Sequence, residues 1–257
     1  MSLWPIYVPS HGRSGRSQTL DWIASEPVQL SPVYICVERQ ELEDYARTYQ
    51  KFTVIENTVK PHTIVGARQS ILNHAREKGS TWYWQIDDTV TGLGLRKIPG
   101  AKAHLINPIA ALFDLQNIFS IHPKVALISP DFRHLAWGAA EPFKLNTRCM
   151  VITGTRADTG LNYDLDMLMK EDIDFCLTTL SAGWVTVLSH LHEISEVPMG
   201  ANKIGGMTEK YSTTGFHDRS CQQMMRKWPR YCSLAFRHGR PEIKTSWKTF
   251  LLKKNKV

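Results

Sequence analysis

The sequence contains nothing approaching the roughly 18 consecutive apolar residues that a membrane helix requires. Met1–Ser10 lacks a basic segment followed by an apolar stretch and a small-residue cleavage site, and it reads as a strand. These absences predict a cytoplasmic protein with no membrane partner. Cysteine is sparse: Cys36, Cys149, Cys176, Cys221 and Cys232 form no CxxC pair, and their odd number prevents complete intramolecular pairing. Several sit in apolar stretches, where a reduced thiol behaves as a small hydrophobe, so free thiols and no zinc site are expected. No internal repeat or low-complexity linker divides the 257 residues, which predicts a single domain over 1–257. Two halves are expected, over about 1–130 and about 131–257, the second ending in a basic segment.

What is present is a chain that is 42% hydrophobic, enough for a sizeable core, with a net charge of +7. An excess of positive charge suits a polyanionic partner, because each neutralised phosphate releases counterions. The bases concentrate between Arg219 and Lys256, where Glu242 is the only acid and Trp228, Tyr231, Phe236 and Trp247 are interleaved. Such a segment is suited to tracking a nucleic-acid backbone and stacking on bases. A solvated terminal helix with ordinary core aromatics would show the same pattern.

Apolar runs and turn residues alternate along the first half. Strands are predicted at Trp4–Val8, Pro32–Val37, Phe52–Ile55, Trp82–Ile86 and Val125–Ile128, and helices at Ser17–Ala24, Gln40–Tyr49, Ile64–Glu77 and Pro108–Ile121. Asn107-Pro108 supplies an N-cap followed by the proline favoured at the first helical position. Strand–helix alternation with short connections predicts an α/β fold with a mainly parallel sheet flanked by helices, and ligands beyond the carboxyl ends of its strands. Later, Thr147–Thr153 and Trp184–His192 read as strands and Glu171–Leu180 as a helix. Val197–Gly215, with Gly200, Gly205, Gly206 and Gly215, reads as a loop over the site.

Three motifs carry chemistry. Trp82–Thr89 is an apolar strand that delivers Asp87 and Asp88 to its C-terminal end. Two adjacent carboxylates repel each other, and a divalent cation with a diphosphate would resolve the conflict, since hard oxygen ligands suit Mg²⁺ or Mn²⁺. An acidic turn capping the next element is the plainer explanation. Glu171, Asp172 and Asp174 open a helix; the helix dipole alone favours acids there, while a carboxylate facing the cleft would serve as general base. Ser10-His11-Gly12-Arg13-Ser14-Gly15-Arg16 follows the first strand, with glycines for close approach and arginines for phosphate oxygens. It has neither a Walker Gly-Lys-Ser/Thr nor GxGxxG spacing.

In this order the motifs resemble the GT-A glycosyltransferases, a Rossmann-like mixed sheet, and within them the phage TET-associated glycosyltransferases. The resembling pieces are Ile6–Arg13, Gly66-Ala67-Arg68 with Ile71–Ala75, Tyr83–Asp88, Glu171–Gly183 and Gly205-Gly206. The resemblance implies a sugar transferred from a nucleotide sugar, of the UDP class, to a hydroxymethylated pyrimidine such as 5-hydroxymethylcytosine in phage DNA, within the host cytoplasm. It implies Ser10, Arg13, Glu38, Arg68, Asp87 and Asp88 at the donor, Asp172 helped by Glu171 as base, and Mn²⁺ or Mg²⁺ on Asp88. A later histidine completes the metal shell in GT-A enzymes; His192 is the one chosen here, with His190 and His217 as further candidates. Thr89 departs from the pattern, which places its metal carboxylate third.

Other readings of the same residues exist. Asp87-Asp88-Thr89-Val90-Thr91 fits the Asp-x-Thr-x-Thr pattern of haloacid-dehalogenase-type phosphotransferases, with Asp87 as nucleophile. That motif normally lies on a first strand, whereas three strand–helix units precede it here. A non-catalytic nucleic-acid-binding protein explains the basic segment but not the acids at strand ends. A glycan is the alternative acceptor. The sequence leaves the oligomeric state open.

Overall fold

A computed structural model describes residues 2–26, 31–119, 122–167, 169–196, 205–206, 215–237 and 239–252. Strands β1 (Ile6–Pro9), β2 (Val33–Val37), β3 (Thr53–Glu56) and β4 (Trp82–Ile86) alternate with helices α1 (Gln18–Ser25), α2 (Leu42–Thr48) and α3 (Ile64–Glu77). Next come β5 (Val90–Leu95), β6 (His104–Ile106), α4 (Pro108–Phe119), β7 (Val125–Phe132), α5 (Arg133–Ala136), β8 (Phe143–Leu145) and β9 (Ile152–Arg156). Helix α6 (Glu171–Ser181), β10 (Val185–Glu196), α7 (Phe216–Lys227), β11 (Cys232–Arg237), β12 (Arg240–Thr245) and α8 (Lys248–Leu252) follow.

The ten-stranded sheet has the order β3-β2-β1-β4-β9-β7-β10-β5-β6, with β8 also on β10. Strands β1, β2, β3, β4, β6, β7 and β10 point one way; β5, β8 and β9 run against them. The predicted mixed, mainly parallel sheet is thus present, and its antiparallel members all follow β4 in the chain.

Period-two alternation sorts the core into two faces. Ile6, Val8, Val33, Ile35, Trp82, Trp84 and Ile86 pack with Leu20, Tyr45, Leu112 and Leu115 of α1, α2 and α4. Tyr7, Cys36 and Tyr83, one residue out of phase, pack with Ile71, Leu72, Phe175 and Cys176 of α3 and α6. The outer side of α6 carries a further cluster: Leu177 and Leu180 meet Met224 of α7, Cys232 of β11 and Phe250 of α8. The basic C-terminal segment therefore folds, within the described residues, into a helix, a hairpin and a short helix; Lys253, Lys254 and Lys256 lie outside them. The five cysteines are buried free thiols, as expected. No helix among the described residues is long and apolar enough to cross a membrane.

Sequence periodicity placed β4 and α3 at their observed bounds and missed β5, β6, β8 and the β11–β12 hairpin. Strand β9 lies at Ile152–Arg156 rather than Thr147–Thr153. The reason is visible at Val151: its φ of 64° is the left-handed conformation, which a β-branched residue adopts only under tertiary constraint, and it interrupts the apolar run before the strand.

Candidate active site

Strand β4 ends in a turn, and the Asp87 N–H donates to the strained Val151 carbonyl at 2.8 Å. Strain of this kind persists where surrounding structure over-determines it and concentrates at functional sites. The turn sends the two carboxylates in different directions. Asp88, buried, accepts a hydrogen bond from Ser10 Oγ at 2.6 Å and forms an ion pair with Arg13. Asp87, half-buried, accepts from Arg68 at 3.1 Å. Arg68 also donates through Nε to Glu171 at 3.0 Å, so one buried guanidinium of α3 joins the end of β4 to the start of α6. A planar fork that serves two carboxylates at once is the geometry only arginine supplies.

The loop after β1 is held from several sides. Ser10 Oγ lies 2.8 Å from the Tyr45 hydroxyl, which also accepts from the Arg13 N–H at 2.9 Å. The Gly12 N–H donates to Glu41 at 2.6 Å, and the His11 ring lies 2.8 Å from Glu41 and 3.7 Å from Glu38. Glu38 therefore stands at the rim of the same loop. Gly205 and Gly206 lie on this loop: Gly206 N–H donates to the His11 carbonyl at 2.9 Å, and Arg13 reaches the Gly205 carbonyl at 3.4 Å. A Cβ on Gly205 would fall 2.4 Å from that His11 carbonyl, so only glycine permits the approach. Apart from Gly205, Gly206 and Gly215, the predicted covering loop Val197–Gly215 lies outside the described residues.

Lys170, with φ of 68°, makes the turn into α6, and its Nζ donates to Glu242 of β12 at 2.7 Å. That turn presents Glu171 and Asp172 together. Burial pushes the Glu171 carboxyl up to about 7, against the pull of Arg68, with Asp172 and Asp87 adding to the rise. Burial likewise raises Asp87, opposed by Arg68 and assisted by Asp88 and Asp172. Burial raises Asp88 too, opposed by Arg13 and Ser10. Asp172, half-buried, accepts the N–H of its neighbour Ile173 at 2.7 Å. A fifth carboxylate, Glu196 at the end of β10, is pushed up to about 7 by burial, with Asp87 contributing.

The structure thus gathers Ser10, Arg13, Glu38, Arg68, Asp87, Asp88, Glu171 and Asp172 at the carboxyl end of β1, β2 and β4. It does not bring His192 there. The His192 ring is buried, 2.9 Å from Ser189 Oγ and 3.0 Å from Asp114 of α4, so both nitrogens have partners. Four residue steps of extended strand, about 13 Å, separate it from Glu196 at the site. His190 lies 3.7 Å from Asp131, and His217 lies near Arg240, Glu242 and Lys170. The expected metal pair of Asp88 and His192 is therefore not assembled. Both Asp88 oxygens already serve Ser10 and Arg13, and Thr89 offers no carboxylate. Among the described residues, no group of three or more His, Cys, Asp or Glu side chains is arranged to hold a metal ion.

Sequence reasoning missed Tyr45, Glu41 and Glu196. Tyr45 and Tyr49 share a helix face, a pattern equally suited to core packing, and Glu196 follows a register shift in β10 that no periodicity announces.

Comparison with solved structures identifies the fold. Glucosyl-3-phosphoglycerate synthase from Mycobacterium tuberculosis, in complex with Mn²⁺, UDP and glucosyl-3-phosphoglycerate, superposes with a TM-score of 0.55 at 10% identity, covering 95% of this chain and 87% of that one. The same synthase with Mn²⁺, UDP-glucose and glycerol 3-phosphate gives 0.54 at 11% identity over the same shares. A further mycobacterial protein gives 0.51 at 9%, over 95% and 84%. The fold is that of the GT-A-type nucleotide-sugar transferases. Among curated proteins none matches by sequence. Residues 4–196 match the TET-associated glycosyltransferase family, and the chain belongs to that family. It is a glycosyltransferase.

Proposed function

We propose that this enzyme moves a sugar from a nucleotide sugar, of the UDP class, to the hydroxyl of a hydroxymethylated pyrimidine in phage DNA, in the host cytoplasm. The observation that carries the reading is the junction at Arg68, which holds Asp87 and Glu171 side by side and leaves Asp172 beside them. The UDP and UDP-glucose held by the mycobacterial synthase favour a uridine donor. In this reading the whole chain is one catalytic unit, with the donor on the first half and the acceptor on the second.

Ser10, Arg13 and Glu38 line the donor loop, and Asp87 binds ribose. Arg13 and Arg68 supply positive charge where the leaving diphosphate develops its own. Asp88 keeps Arg13 oriented. Asp172 takes the proton of the acceptor hydroxyl as its oxygen bonds to the anomeric carbon; the carbon–oxygen bond to diphosphate breaks, and its electron pair leaves with the diphosphate. Glu171, tied to Arg68, positions that base. A base within a duplex must first be extruded, at a cost of a few kcal/mol. The test is mass spectrometry of hydroxymethylated DNA incubated with a panel of nucleotide sugars and Mn²⁺. A nucleoside heavier by one sugar is expected. Sugar transfer to a glycan or water, with DNA unchanged, would overturn the acceptor assignment.

A further inference from the structure

Beyond the carboxylates lies a surface that the donor chemistry does not use. Strand β7 ends at Phe132, paired with Ile194, two residues before Glu196. Helix α5 starts there, and an open recess of about 450 Å³ is lined by its Arg133 and His134 and by Trp137. Trp137 is 56% exposed, an unusual position for the residue with the largest apolar surface. Ile98 and Leu105, on the loop joining β5 to β6 and at its edge, are exposed as well. Lys97 and Lys102 lie on the same loop as Ile98, and Arg133 and His134 line the recess with Trp137; all four are exposed. Segments 96–105 and 133–140 contain no acid; Asp131 and Glu141 flank the second of them, and Asp131 is buried and paired with Arg148.

This arrangement is built on a buried support. The Arg96 side chain is fully buried and ion-paired with Glu193 of β10. It donates to the Ala101 carbonyl and, at 3.4 Å, to the Arg133 carbonyl, and its guanidinium carbon lies 5.4 Å from the Trp137 ring centre. One side chain therefore fastens the β5–β6 loop, α5 and the tryptophan to the strand that ends at Glu196. A buried ion pair contributes little net stability compared with apolar packing, so its consequence here is geometric. It holds a flat ring outward beside exposed bases, with the buried Glu193 beneath them, 3.7 Å from Arg133 Nε.

Resting on the DNA-acceptor reading, we infer that this recess seats the acceptor strand, with one base stacked on Trp137 and its phosphates against Lys97, Lys102 and Arg133. Aromatic stacking accepts any base, and clustered bases attract a polyanion; a neutral glycan would gain from the ring but not from the cations. The end of β7 that leads into α5 lies beside Ile194, two residues before Glu196, whereas the β5–β6 loop lies further back along β10, beside Leu191 and His192, so a strand spanning both presents a more distant nucleotide to the carboxylates.

The test compares wild type, Trp137→Ala, Trp137→Phe and the double variant Lys97→Ala/Lys102→Ala, using a hydroxymethylated oligonucleotide duplex. Binding is read by fluorescence anisotropy across a salt series, alongside the KM for DNA. Trp137→Ala should weaken binding about 5- to 150-fold, the range that stacking supplies, while Trp137→Phe keeps most of the affinity. The lysine pair should weaken binding and flatten the log–log salt dependence by roughly two units. Unchanged Kd and KM in Trp137→Ala, with wild type modifying DNA, overturns the recess assignment alone. Wild type that consumes donor but neither binds nor modifies DNA overturns the acceptor reading, and this assignment with it. All four proteins are compared at equal thermal midpoints, which these exposed positions permit.

Discussion

Replacing Arg68 with methionine tests the junction at the centre of the site. The methionine stem fills much of the same space but removes a buried cation that serves two carboxylates, at 3.1 Å to Asp87 and 3.0 Å to Glu171. Breaking a buried pair from one side costs about 3–5 kcal/mol, because the remaining charges stay desolvated and uncompensated. The loss must depend on pH, since protons can replace the guanidinium. In the wild type the Glu171 carboxyl sits at about 7, and Arg68 is what restrains it from rising further. Without Arg68, both Glu171 and Asp87 rise, and each further unit costs about 1.4 kcal/mol once the pH exceeds it. A raised carboxyl means the folded state binds more protons than the unfolded one, so stability falls as pH rises from the ordinary carboxylate range through the folded value. The variant should fall more steeply than the wild type. Urea unfolding followed by tryptophan fluorescence at about pH 8 should show a deficit of about 3–5 kcal/mol, shrinking to about 1–2 kcal/mol near pH 5.5. An equal deficit at both pH values would refute the argument that Arg68 acts by neutralising these two carboxylates.

The remaining expectations are simpler. Asp172→Asn should lower turnover about 10²–10⁴-fold with little change in the KM for donor, as loss of a general base does; a near-wild-type rate would remove Asp172 from the mechanism. Glu196→Gln removes a carboxyl held at about 7 against an ordinary 4.5, so stability lost between those values in the wild type is retained in the variant. A gain on the order of 1–2 kcal/mol above pH 7, vanishing below about pH 5, is expected from denaturation at the two extremes. Gly66→Ala, which in most helices stabilises by up to about 1 kcal/mol, should instead destabilise, because its Cβ would fall 2.1 Å from the Pro61 carbonyl and 2.5 Å from that of Val59. A raised melting temperature for that variant would show that the segment before α3 yields.

The sequence by itself determined the alternation of the first half, because each element there carries its own periodicity. Val33, Ile35 and Val37 repeat every second residue, and α3 has an apolar face of helical spacing. It also determined that Asp87 and Asp88 end a buried strand, and that Glu171 and Asp172 open a helix, since both facts are local. Only the tertiary structure decided what those acids face. Arg68 lies 19 residues from Asp87 and 103 from Glu171, and no local rule joins them. The antiparallel strands were illegible for a related reason. Strand β8 has three residues with two exposed, and β5 contains two glycines, so their pairing comes from β10 rather than from their own pattern. His192 shows the converse: a residue type suited to metal binding, one residue before Glu193 in the same strand, was turned by strand alternation toward Asp114 on α4. Residue type and spacing are properties of the chain, whereas the partner of a buried charge is fixed by which strands and helices the core brings together.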